Sequence, residues 1–114
     1  MDIKITKQEK EIIMRAIETY GVKSQEDIAI EEMSELIKAI LKNRRYSSLE
    51  TRENIREEIA DVFIMLTQLI VIYTVPGENS ILDTITEKLN RLKARIEAEE
   101  AGNLQNHEGG EVNG

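Results

Sequence analysis

Apolar residues recur along most of the chain at the three- and four-residue spacing of amphipathic helices, and nowhere does alternation persist long enough for a strand. Thr6-Lys-Gln-Glu9 carries the pattern of a capping box, and Ile13, Ala16, Ile17 and Tyr20 follow on one face, so a first helix is expected over Lys7 to Tyr20 with Gly21 as its stop. Ser24 is the expected cap of a second helix running to about Asn43, with Asp27 in its first turn. Arg44-Arg45-Tyr46-Ser47-Ser48 reads as a polar connection, with either serine able to cap a third helix from Thr51 to Thr74. Pro76-Gly77 breaks the pattern, and Ser80, followed by Asp83, opens a fourth helix whose Ile81, Ile85, Leu89, Leu92 and Ile96 keep helical spacing to about Glu99. The remainder, from Ala101, is glycine-containing, polar and aperiodic, the composition of a disordered tail, and holds the sole histidine, His107. The expected fold class is all-α, a bundle of four to five helices, with one domain over residues 1–100 and a tail over 101–114.

The stretch Arg56 to Tyr73, REEIADVFIMLTQLIVIY, changes within a turn from charged to almost continuous hydrocarbon. Val62 to Tyr73 is too short to cross a bilayer, which takes about 20 residues, and it contains Thr67 and Gln68. Phe63 to Tyr73 is also more apolar than a lone small bundle needs, so oligomerisation is expected. A net charge of −7 argues against nucleic acid as a partner. The absence of cysteine removes thiolate metal sites and thiol nucleophiles. The N-terminus is too charged for a signal peptide, and a cytoplasmic protein without a membrane partner is expected.

Carboxylates occupy positions where hydrocarbon would be expected. Glu32 and Glu35 are three residues apart on the second helix, and Glu32 shares an arc with Ile28, Leu36 and Ala39. Glu58 and Asp61 repeat the spacing on the third helix, where Glu58 lies among Ile55, Val62, Met65 and Leu69. With 22 acidic residues in 114, one such pair arises readily by chance on a solvated face. Two pairs within or beside apolar stripes call for compensation, because converging, desolvated acids either take up protons or hold a cation. No histidine lies in the expected helices, so the ligand set is all oxygen, favouring Mg²⁺ or Mn²⁺ over zinc or iron and opposing a redox di-metal site. Mg²⁺ keeps positions open for phosphate oxygens, which would let an acidic protein bind a nucleotide. The competing reading is a non-catalytic acidic helical oligomer whose acids are solvated or bind cations.

At these residues the chain resembles the MazG-like, all-α nucleoside triphosphate pyrophosphohydrolases. The family pattern, Glu-Glu-x-x-Glu then Glu-x-x-Asp, is matched by EEMSE at Glu31 to Glu35 and EIAD at Glu58 to Asp61, separated by 22 residues. The resemblance covers about Ile28 to Ile96 and implies Mg²⁺-dependent cleavage of a nucleoside triphosphate between its α- and β-phosphates. It implies Glu32, Glu35, Glu58 and Asp61 as metal ligands, with Glu31 orienting a ligand or water. EKLNR at Glu87 to Arg91 looks like the family's later basic cluster, which makes Lys88 and Arg91, along with Lys38, candidates for phosphate contact. Thr86 stands where the family often has asparagine. The related phosphoribosyl-ATP reaction is a lesser possibility, and dimers or tetramers sharing a helical core are implied.

Overall fold

The computed structural model describes the backbone of residues 5–113 and side chains of residues 5–104. Four helices make up the fold: α1 (Lys7–Tyr20), α2 (Val22–Arg45), α3 (Leu49–Ile72) and α4 (Ile81–Asn113), with no strand among the described residues. The all-α expectation holds. The chain divides into two units, Met1–Thr74 and Val75–Gly114.

In the first unit, α1 begins at the expected capping box, with Glu9 N donating to Thr6 Oγ1 at 3.1 Å and Thr6 N donating to Glu9 Oε1 at 3.0 Å. Gly21, at φ +89°, turns the chain in a conformation that side chains disfavour. Its N–H donates to Ile17 O and its carbonyl accepts from Gln25 N, so one residue both closes α1 and opens α2. The second helix therefore starts at Val22 without a side-chain cap, and Ser24 lies inside it rather than before it. Between α2 and α3 stand only Tyr46, Ser47 and Ser48. Ser48 caps α3 reciprocally with Thr51, their backbone and hydroxyl groups exchanging bonds of 3.1 and 2.9 Å.

Two cross-links define the α2–α3 hairpin. Thr51 Oγ1 donates to Asn43 Oδ1 at 2.7 Å near the turn, and Tyr73 Oη donates to Glu26 Oε2 at the far end. Residues early in α3 thus face residues late in α2, so the helices are antiparallel. Ala29 and Ala39 of α2 and Val62 and Met65 of α3 are buried. The first helix packs on both but buries only Ile13. Two amides are also buried, Gln25 at 3% exposure and Gln68 at 4%, and neither Gln25 Nε2 nor Gln68 Oε1 has a hydrogen-bond partner.

In the second unit, α4 opens at Ser80, whose Oγ accepts from Asp83 N at 3.0 Å. Its apolar positions Leu82, Ile85, Leu89, Leu92 and Ile96 are all exposed. The helix runs on to Asn113, past Glu99 where the apolar period stops. The tail expected over 101–114 is therefore helical over 101–113. Pro76 is the only proline, so no later residue lacks the N–H needed to extend the helix one bond at a time. His107 lies outside the residues whose side chains are described.

Candidate metal centre

Glu32 sits mid-way along α2, and Glu58 and Asp61 sit one turn apart on α3. The antiparallel register brings them together: one carboxylate oxygen from each lies within 4.8 Å of the other two. Glu32 and Glu58 are half-buried and Asp61 is exposed, so the cluster is open on the aspartate side. Glu58 Oε2 is buried and has no hydrogen-bond partner. Among the described residues no lysine or arginine pairs with any of the three; the ion pairs present are Lys38–Glu35 and Lys93–Glu97.

The electrostatic consequence is visible in proton affinity. Burial raises the Glu32 pKa above the ordinary carboxylate value, and the charges of Asp61, Glu58, Glu31 and Glu35 raise it further. Burial likewise raises Glu58, followed by the charges of Asp61, Glu35 and Glu57. A divalent cation would relieve both effects. Three convergent carboxylates, one of which also has a buried oxygen without a partner, fit a hard ion such as Mg²⁺ or Mn²⁺.

The other expected site residues are placed differently. Glu35 is outside the three-carboxylate group, with its Oε1 accepting from Lys38 Nζ at 3.4 Å. Its charge still acts on both Glu32 and Glu58, so it faces the same space. Lys38 is thus held beside an acid rather than free. Glu31 is exposed. Lys88 and Arg91 are exposed on α4 and belong to the second unit. Sequence reasoning did not anticipate the Tyr73–Glu26 link or the buried Gln25 and Thr51. Gln68 did leave a signal, as a polar residue inside an otherwise apolar run.

A helical hairpin that gathers unpaired carboxylates on its packing face defines an all-α protein with an acidic candidate metal centre. Within that class the chain matches the sequence profile of the MazG nucleotide pyrophosphohydrolase domain over residues 21–99, more than half its length, and it belongs to that family. No curated protein and no solved structure matches it. The matched region begins at the hinge glycine, contains both acidic pairs, and leaves α1 outside.

Proposed function

We propose that this protein is a Mg²⁺-dependent nucleoside triphosphate pyrophosphohydrolase, with Mn²⁺ as a substitute ion, that converts a ribo- or deoxyribonucleoside triphosphate to its monophosphate and pyrophosphate. The observation that carries the reading is the gathering of Glu32, Glu58 and Asp61 carboxylates within 4.8 Å, without a positive partner, in a chain of this family. The working domain is residues 1–100, and the substrate pool is the cytoplasmic one.

Glu32, Glu58 and Asp61 would hold the ion, and Glu35 would join them by giving up its contact with Lys38. Bound there, the ion would supply Lewis-acid neutralisation of phosphate oxygens and a lower pKa for water. The carboxylates' own part is to present their oxygens to the ion from two packed helices. Glu31, exposed beside the cluster, orients a water or a ligand carboxylate. Lys38, once free, and Lys88 and Arg91 are the candidates for charge-assisted bonds to phosphate. One water is consumed and the anhydride bond between the α- and β-phosphorus atoms is broken. Support for assembly as a homodimer or homotetramer comes from the exposed apolar residues of α2, α3 and α4.

The test at this level is Glu58→Gln. Even an outer-shell change at a metal site costs about 10–100-fold, so loss of a ligand should reduce Mg²⁺-dependent turnover by more than about 100-fold. Helical content, read by circular dichroism, should be unchanged. Full turnover in this variant removes Glu58 from the site.

A further inference from the structure

Three buried polar atoms among the described side chains have no hydrogen-bond partner, and all lie on α2 and α3. Glu58 Oε2 belongs to the acidic cluster, which leaves Gln25 Nε2 and Gln68 Oε1 to be explained. Their places follow from the register of the acids. Glu32 of α2 meets Asp61 of α3; seven residues back along α2 is Gln25, and seven on along α3 is Gln68. Seven residues make almost two turns, about 10 Å, and in antiparallel helices both steps run the same way on the same faces. Gln25 and Gln68 therefore stand at one level of the α2–α3 seam, toward the end that Glu26 and Tyr73 close. Buried Ala29 and Met65 occupy the level between the amides and the acids.

The two orphaned atoms are complementary, since an amide nitrogen donates and an amide oxygen accepts. Leaving a buried donor and a buried acceptor unbonded at one level of one seam is costly, so something opposes their meeting. The charges on the same two faces supply that opposition. Glu32 on α2 confronts Glu58 and Asp61 on α3, and no lysine or arginine among the described residues pairs with any of them. Their mutual repulsion adds to burial in raising the proton affinity of Glu32 and Glu58. Once neutralised, the acids no longer push α2 and α3 apart.

We propose that Gln25 and Gln68 are positioning residues for the metal centre. Their amides lie apart while the acids are charged and uncompensated, and Gln25 Nε2 donates to Gln68 Oε1 once those charges are neutralised by a divalent cation. The proposal rests on the cation-binding reading of the cluster and not on turnover. A bond made only in the cation-loaded state raises cation affinity by its own worth, because closure and binding are linked. It also ties α2 to α3 two turns from the carboxylates, which keeps Glu32 within reach of Glu58 and Asp61. The unbonded amides are then a cost carried by the metal-free protein alone.

The test measures Mg²⁺ affinity by calorimetric titration, without nucleotide, for the wild-type protein, Gln25→Leu, Gln68→Leu and the double variant. Each single substitution should weaken Mg²⁺ binding about fivefold, the worth of one ordinary hydrogen bond. The double variant should bind no more weakly than either single one, because losing one amide already forfeits the bond. In the metal-free protein both single substitutions should raise the thermal midpoint, and their effects should add. Unchanged Mg²⁺ affinity in all three variants overturns the pairing. So do losses that multiply in the double variant, which mark two independent structural effects. A second readout needs no substitution: the side-chain amide protons of Gln25 should gain protection from hydrogen exchange when Mg²⁺ saturates the wild type. Exchange that Mg²⁺ leaves unaltered overturns the pairing. A wild-type protein that binds no Mg²⁺ overturns the metal centre itself. Mg²⁺ binding with the expected non-additivity, but no turnover of any nucleotide, overturns the pyrophosphohydrolase reading and not the pairing.

Discussion

Glu58 concentrates the chemistry at the scale of a single residue. Its Oε2 is buried without a partner, and burial and then the charge of Asp61 raise its pKa. Glu32 is raised in the same direction by burial and then by Asp61. A carboxyl whose pKa is higher folded than unfolded stabilises the fold below its unfolded pKa. That contribution is lost as pH rises through the folded value. The metal-free protein should therefore melt at a lower temperature at about pH 7 than just above the usual carboxylate range, near about pH 5. Adding Mg²⁺ at neutral pH should recover the loss, since a ligand at a hundred times its Kd adds about 2.7 kcal/mol. Differential scanning calorimetry of metal-free and Mg²⁺-loaded protein checks both halves. A metal-free melting temperature that climbs steadily from about pH 5 to about pH 7 contradicts the electrostatic account.

Helix by helix, the hairpin of α2 and α3 does most of the positioning, and its polar interior makes its own prediction. Gln68 Oε1 is buried and unpartnered, and a buried acceptor left without a bond costs about 1–3 kcal/mol. Gln68→Leu, of similar size and without the amide, should raise the thermal midpoint of the metal-free protein. A lowered midpoint would mean that the amide is bonded in solution. Elements whose signal is local were legible in the sequence: the Thr6–Glu9 box and the α1 span Lys7–Tyr20 agree with expectation to the residue. The misread boundaries depended on backbone geometry. Gly21 could be recognised as a stop, but not as a residue that opens the next helix in the same stride. The acidic pairs were legible because helical spacing fixes which residues share a face. The separation of Glu35 from the other three carboxylates was not, because it depends on a rotamer and on competition from Lys38. The Tyr73–Glu26 link joins residues 47 apart, a distance over which periodicity says nothing.

For the whole molecule, the scarcity of buried hydrocarbon stands beside the number of apolar side chains left outside. The described core consists of Ile13, Ala29, Ala39, Val62 and Met65, while Ile30, Ile37, Ile59, Leu82 and Leu89 are more than half exposed. A monomer rarely leaves so much apolar surface uncovered. Light scattering coupled to gel filtration should therefore give twice or four times the chain mass of 13.0 kDa, and a monomer at micromolar concentration contradicts the proposed assembly. Catalysis is the central claim and has the most direct test. The protein is incubated with a panel of ribo- and deoxyribonucleoside triphosphates, with and without Mg²⁺, and the products are separated and identified. The account predicts nucleoside monophosphate and pyrophosphate in equal amounts, formed only when the ion is present. Release of orthophosphate with a nucleoside diphosphate, or no turnover of any nucleotide, contradicts it.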